Sequence, residues 1–186
     1  LAYLIKGTDE AAEYPGLKAK KVAVVCRTLV ALEYQDAGST KELARQISSL
    51  LQQRVPKIQV IDQEKVAAWA DEQTWDEFSE VGHAMHADMV VGVDLTGFSI
   101  FEGQTLYRGR ASATIKVYDC VKKCVVFEKP LPPIVYPPNI AIPASDRQEY
   151  DFRREFTSVL ADYIARYFYA HDPHADVAMD AAAGLR

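Results

Sequence analysis

The chain has 186 residues, of which 49% are hydrophobic and 25% are charged. This balance excludes disorder over most of the length, and the length fits one domain that folds without disulfides or metals. The formal net charge of -5 leaves no general excess of basic residues to neutralise phosphates. Since residues 18–21 hold the one short basic run, Lys-Ala-Lys-Lys, we predict no nucleic-acid partner.

The first residues contain a short apolar run. Residues 1–5 read Leu-Ala-Tyr-Leu-Ile and are followed by Lys6 and Gly7. The run fits the end of a membrane anchor or signal segment, which allows membrane association through a segment upstream of Leu1, and it equally fits an apolar terminus that packs on the domain. Because no period of 2 or 3.6 residues is sustained up to residue 19, we predict an irregular lead-in over residues 1–19.

The first half of the domain predicts two strands and three helices. Residues 21–26 are continuously apolar, which is typical of a strand covered on both faces. Residues 39–42 read Ser-Thr-Lys-Glu, a capping box that predicts the start of a helix. Residues 58–61 predict a second strand, followed by a short helix capped by Asp62. A second capping box, Thr-Trp-Asp-Glu at residues 74–77, predicts the next helix.

The second half predicts three strands and a long helix. Residues 89–95 form another apolar run, which predicts a third covered strand. Residues 107–117 alternate between apolar and polar side chains, which predicts a half-exposed antiparallel strand that pairs with residues 125–127. A capping box at residues 145–148 predicts the last helix, which carries an aromatic face. Residues 171–186 continue no core stripe and predict a flexible tail.

These elements predict an α/β (α+β) fold. We expect a mixed sheet of about five strands with helices packed on it, in the order β-α-β-α-α-β-β-β-α. We expect one α/β domain over residues 20–170, between the lead-in and the tail.

The element order and several short sequences resemble the amino-terminal domain of the TolB translocation protein and its relatives, the curli secretion channel lipoprotein and the lipoproteins that activate penicillin-binding proteins. The likeness is clearest at residues 81–92, Val-Gly-His-Ala-Met-His-Ala-Asp-Met-Val-Val-Gly, which are similar to the family's helix end, Ala-Asp pair and apolar strand. Residues 106–127 also look alike, except that Cys-Val-Lys-Lys-Cys stands where relatives often have a Thr-Gly turn.

The resemblance covers residues 20–170 and carries expectations about function. Members of this family commonly lie in the bacterial envelope and act through protein partners without a shared active site. It implies a periplasmic or extracytoplasmic location, with a cytoplasmic one left open, and another envelope protein as the partner. The Pro-rich segment and the lack of an anchor cysteine depart from the lipoprotein pattern.

A Pro-rich segment at residues 130–138 is the candidate partner-binding site. We expect it to run extended along the surface, as a preformed strip that a partner's groove can grip at low entropic cost. The alternative is a linker packed across the domain's own aromatic helix. The candidate binding residues are Pro132, Pro133, Tyr136, Pro137 and Pro138.

Two cysteines stand at a predicted hairpin turn. Cys120 and Cys124 are four residues apart, and a disulfide between them or two separate thiols both fit the spacing. A disulfide would indicate an oxidising compartment.

Other polar residues raise the question of catalysis. Cys26 ends the first strand, where α/β sheets face ligand crevices, and His83 and His86 have the helical spacing of two zinc ligands. No third ligand, phosphate-binding loop or nucleophile elbow accompanies them, so we predict no metal, no cofactor and no catalytic residue.

Asp94 interrupts an apolar strand. We expect it to be paired with an arginine such as Arg108 or Arg110, the other interpretation being a desolvated carboxylate with a raised pKa. The resemblance, together with the lack of a catalytic constellation, implies a non-enzymatic, envelope-associated interaction module, which we expect to be a lipoprotein or a membrane-tethered domain. The alternative is a metal- or small-molecule-dependent enzyme that uses a crevice near Cys26, Asp94 and the two histidines.

Overall fold

A computed structural model describes residues 9–28 and 33–173, with side chains from residue 38 onward in the second range. The apolar run at residues 1–5 and most of the predicted tail therefore lie outside the described residues. In the described part, no helix has the length and apolar character needed to cross a bilayer.

The strands are β1 (Lys21–Thr28), β2 (Gln59–Val60), β3 (Met89–Glu102), β4 (Leu106–Asp119), β5 (Cys124–Pro130), β6 (Ile134–Tyr136) and β7 (Ile142–Pro143). The helices are α1 (Glu33–Arg54), α2 (Gln63–Glu72), α3 (Phe78–Ala84) and α4 (Glu149–Ala165), and a 3-10 turn (Arg166–Phe168) follows α4.

All the strands belong to one mixed sheet. Its order is β2-β1-β3-β4-β5, with β1 parallel to β2 and β3, and β4 antiparallel to β3 and β5. The two short strands β6 and β7 pair with the first half of β4, beside the edge that β5 occupies farther along. The predicted α/β fold with a mixed sheet is confirmed, and the sheet gains two strands from the segment that follows β5.

Helices cover both faces of β1 and β3. On one face α1 and α4 enclose the larger core, where the rings of Phe152 and Phe156 are fully buried. The glycine at position 109 of β4 admits Phe156, because a Cβ atom there would lie 2.4 Å from the ring. On the other face α2 and α3 enclose a smaller core around Phe78. The alternation predicted for residues 107–117 is confirmed, since every second residue of β4 is buried.

The structure confirms one of the predicted helix starts and contradicts another. Asp62 caps α2 as expected, because its carboxylate accepts a hydrogen bond from the backbone N–H of Glu64 at 2.9 Å. The start predicted at Ser39 is wrong, since α1 begins six residues earlier and Ser39 is buried within it. A Ser-x-x-Glu sequence is compatible with a helix interior, so packing decides where the helix begins.

The capping boxes predicted at residues 74–77 and 145–148 do not form at those residues. In α3 the reciprocal bonds join Glu77 and Glu80 instead of residues 74 and 77, and backbone N–H donors lower the pKa of Glu80. In α4 the residue before the helix is Gln148, which forms no side-chain cap. Both helices therefore begin a few residues later than their sequence signals predicted.

At both outer edges of the sheet, the edge strand departs from a regular row of free backbone groups. At β2, the Gln52 side chain of α1 accepts from the N–H of Val60 at 3.0 Å and donates to the carbonyl of Ile58 at 3.3 Å. At β5, a register shift leaves Val126 without a partner on β4, and the strand ends at Pro130. Both features interrupt the regular row of backbone donors and acceptors that an edge strand otherwise presents.

Candidate functional site

A cleft of about 870 Å³ lies at the carboxyl end of β1, beside the middle of β3. The chain leaves β1 over one face of the sheet and enters β3 over the other, so this is the switch point at which α/β sheets commonly bind ligands. Cys26 and Asp94 both line it, together with Arg27 and Lys116. The structure thus brings together two of the four residues of the predicted crevice.

The polar side chains of this cleft bind one another. Asp94 accepts from the Arg27 Nε at 2.5 Å and lies 3.2 Å from the Lys116 Nζ. The Arg27 guanidinium also lies over the rings of Phe78 and Trp75, at 4.4 and 5.4 Å from their centroids. Two cations therefore balance one largely buried carboxylate. Arg27 and Asp94 are direct neighbours in the parallel register, a relation that depends on the strand order.

The expectation that Asp94 is paired is confirmed, but the predicted partners are wrong. Arg108 and Arg110 instead bind Glu102, with nitrogen-to-oxygen distances of 3.3 and 3.2 Å. Arg108 also donates to the backbone carbonyls of Pro137 and Pro138. Both arginines lie nearer the start of β4 than the residue opposite Asp94, which is Thr114.

Cys26 has the properties of an inert thiol. Burial, and secondarily the nearby carboxylate of Asp94, raise the pKa of Cys26 well above its ordinary value, so the thiol keeps its proton at neutral pH. His83 lies elsewhere, in a separate groove lined also by Trp69 and Tyr118. The predicted combination of thiol, carboxylate and histidines is therefore wrong, and the described residues contain no group of three or more His, Cys, Asp or Glu suited to a metal ion.

The two turn cysteines are free thiols in this structure, and the disulfide considered from their spacing stays a prediction. The hairpin register places Cys124 opposite Asp119 instead of opposite Cys120. Cys120 packs against α3, where a Cβ atom on Gly82 would meet its Sγ at 2.5 Å. The two sulfurs therefore lie in different environments, since Cys124 is exposed.

The Pro-rich segment is partly a strand. Its centre forms β6, which pairs with β4 and buries Ile134 and Tyr136. The Tyr136 hydroxyl donates to Glu155 Oε1 at 2.8 Å. The Tyr136 ring therefore lies in the core and not on the surface of the predicted strip, because alternation along β6 turns it inward.

The prolines on either side of β6 remain at the surface. Pro132 and Pro133 are exposed, and with Tyr163 and Tyr167 of the α4 region they line a groove of about 290 Å³. Beyond β6, Pro137 is half-buried and Pro138 is exposed. The two tyrosines belong to the aromatic face predicted for the last helix, and their place beside the prolines follows from the pairing of β6.

Comparisons with known proteins give structural matches alone. No protein-family model matches the chain, and no curated protein matches it. Two structures of the PelC dodecamer from Paraburkholderia phytofirmans, one of them a variant, match 87% of this chain and 99% and 97% of theirs, at 10% and 12% identity and a TM-score of 0.51.

Bacterial lipoproteins are among the further structural neighbours. Lipoprotein GNA1162 from Neisseria meningitidis matches 78% of this chain and 97% of its own, at 12% identity and a TM-score of 0.47. The resemblance to the TolB amino-terminal domain stays a prediction. By fold alone, the chain is similar to the PelC subunit.

Proposed function

We propose that the chain is a non-enzymatic protein-interaction module of the bacterial cell envelope, and that its partner is another envelope protein. The observation that carries the proposal is the proline ridge, which we define as Pro132 and Pro133 with the adjoining groove lined by Tyr163 and Tyr167. The proline ridge contains exposed residues of the predicted Pro-rich strip and does not include Tyr136, which is buried.

The proline ridge is suited to hold an extended apolar segment of a partner. Proline fixes its own φ angle and has no N–H to desolvate, so these positions lose little entropy when a partner binds. Pairing of β6 with β4 anchors the residues that follow the two prolines, and Leu131 before them donates its N–H to the carbonyl of Ala113 at 2.9 Å. The surface is therefore preorganised on both sides of the prolines.

The cleft around Asp94 gives less support to an enzyme. Its carboxylate is balanced by Arg27 and Lys116, and its thiol is protonated at neutral pH. Activated nucleophiles and general bases need a group that can gain or lose a proton near the working pH. These polar groups instead tie β1, β3 and β4 together beside the carboxyl end of β1.

The envelope location in this proposal rests on the sequence resemblance to the TolB amino-terminal domain and its lipoprotein relatives. The fold similarity to the subunit of the PelC dodecamer supports a role in assembly, because that protein forms a complex of many copies. A partner that is itself a copy of this chain falls within the proposal.

Site-specific photocrosslinking of the full-length gene product in its native cells tests this function. A photoreactive residue in place of Pro133 should give a discrete protein adduct in the envelope fraction. The same residue at Lys65, an exposed position of α2, should give none. The Pro132→Ser change should remove most of the adduct, because it loosens the ridge without altering the core.

Recovery of the protein in the cytoplasm would contradict the envelope assignment. Identical adducts from positions 133 and 65 would contradict the proline ridge as the binding surface.

A further inference from the structure

Backbone hydrogen bonds join four separate segments at the amino end of the parallel strands. The N–H of Ala19 donates to the carbonyl of Pro56 at 3.2 Å, and the N–H of Gln59 donates to the carbonyl of Lys20 at 2.9 Å. The segment before β1 and the segment before β2 are therefore adjacent.

The same end of the sheet receives two further segments through Asp88. The N–H of Asp88 donates to the carbonyl of Lys21 at 2.8 Å, and its carbonyl accepts from the N–H of Cys120 at 2.9 Å. The segment before β3 and the turn between β4 and β5 are thus neighbours of the first two segments.

Because these four segments meet, lysines that are far apart in the sequence form one basic surface. We call it the lysine end, and it consists of Lys18, Lys20, Lys21, Lys57, Lys122 and Lys123. Lys21 is half-buried and the other five are exposed. None of the six forms an ion pair within the described part of the chain, whereas the lysines at positions 41, 116 and 129 all do.

Two carboxylates at the lysine end, those of Asp88 and Asp119, bind the backbone. One oxygen of Asp88 accepts from the N–H of Lys21 at 2.8 Å. Asp119 is 6% exposed, and it accepts from the N–H groups of Val121 and Lys122 at 2.9 Å each. These acids hold the turns in place and leave the lysine ammonium groups to solvent.

We propose that the lysine end binds the anionic headgroup surface of a membrane, an inference that rests on the envelope role proposed above. The six ammonium groups are spread over one end of the molecule. Lys123 borders the groove of His83, but in the described part of the chain the six do not converge on one cavity, so they suit a diffuse layer of negative charge better than one bound anion. Val121, at the tip of the adjoining turn, is 80% exposed and can enter the headgroup region.

The charge of the rest of the molecule determines its orientation. The whole chain carries -5, so the surface away from the lysine end is more acidic than this total, and an anionic membrane repels it. The lysine end should therefore face the lipid, with the proline ridge left accessible to a protein partner. Each lysine near such a surface should raise partitioning roughly five-fold, and added salt should weaken it.

Vesicle sedimentation with the whole 186-residue chain tests the proposal. The protein should sediment with phosphatidylglycerol vesicles at low salt, and it should stay in solution with phosphatidylcholine vesicles. Reversal of four charges at the lysine end should weaken binding by roughly 600-fold or more. The variant carries Lys20→Glu, Lys57→Glu, Lys122→Glu and Lys123→Glu.

The matched control reverses four exposed cations elsewhere and changes the net charge by the same amount. It carries Lys41→Glu, Arg45→Glu, Lys65→Glu and Arg110→Glu, and it should bind phosphatidylglycerol vesicles far better than the lysine-end variant. Thermal melting verifies that both variants fold, and alanine replaces glutamate at the same positions if one does not.

Three results would overturn the lipid proposal. The first is no binding of the unchanged protein to phosphatidylglycerol vesicles, and the second is equal loss in the two variants. The third is competition by soluble glycerol phosphate or tighter binding to polyglutamate, which would indicate a small anion or an acidic protein. None of these results bears on the crosslink at the proline ridge, so the two proposals can fail separately.

Discussion

The two ends of the parallel strands use charge in opposite ways. At the carboxyl end, Asp94 lies between Arg27 and Lys116, and ion pairs join three strands. At the amino end, six lysines have no acidic partner in the described part of the chain, and the nearby carboxylates bind backbone N–H groups. Paired charges at one end stabilise the fold, while unpaired charges at the other are available for binding.

Removal of the central carboxylate at the carboxyl end should have the largest effect on stability. Asp94→Ala leaves the partly buried Arg27 without its counter-ion and Lys116 with only the more distant Glu128, so we expect a loss of about 2 kcal/mol in the free energy of unfolding. Urea denaturation measures it, with Asp94→Asn as the milder variant. A loss no greater than that of an exposed surface substitution would show that the two ends do not differ.

Alkaline pH should lower stability through Cys26 at the same end. The unfolded chain releases this thiol proton near its ordinary pKa of about 8.5, whereas burial keeps the folded thiol protonated. Stability should therefore fall as pH rises above about 8.5, by up to about 1.4 kcal/mol per pH unit for this group. Denaturation of Cys26→Ala across that range should show a smaller fall than the unchanged protein. If the stability of the two proteins fell equally with rising pH, the role assigned to Cys26 would be wrong.

Near the lysine end, we expect the hydrogen-bonded side chain of Gln52 to contribute to stability. Gln52 makes two hydrogen bonds to the backbone around β2, and Gln52→Ala should cost about 1 kcal/mol of unfolding free energy. Gln53→Ala is the matched control, because Gln53 bonds only to the Ser49 hydroxyl on its own helix. Equal losses in the two variants would mean that the bonds to the β2 edge contribute nothing.

The smallest stability effect is expected at the lysine end itself. Lys57→Ala removes an exposed cation without an ion pair, so the unfolding free energy should stay within about 0.5 kcal/mol of the unchanged protein. Vesicle binding of the same variant should nevertheless weaken. A larger loss of stability would show that this lysine stabilises the fold, and would remove the contrast between the ends.

Sequence reasoning was strongest where one period ran through a whole element. The alternation in residues 107–117 predicted which side of β4 is buried, and the apolar run at residues 21–26 predicted the central strand β1. The helix starts at residues 39 and 145 were wrong, because a capping sequence is a local signal that packing overrides. In the Pro-rich segment, proline content hid the three-residue strand β6, whose pairing with β4 is non-local.

The candidate surfaces were harder to predict because tertiary neighbours create them. Residues 18–21 were recognisable as a basic run, but Lys57 and Lys122 join them only through the order of strands in the sheet. The partners predicted for Asp94 were wrong for the same reason, because Arg27 becomes its neighbour through the parallel register of β1 and β3. Spacing along the chain predicts local pairs, and topology decides the rest.

The modified edges of the sheet have a consequence for unwanted association. At one side the Gln52 amide occupies the backbone groups around β2, and at the other the shift at Val126 and the proline that ends β5 interrupt a regular ladder. Chains of this kind resist joining edge to edge into cross-β aggregates, even when they are crowded together. We therefore expect an ordered assembly of this protein to use side-chain contacts in preference to strand pairing at these two edges.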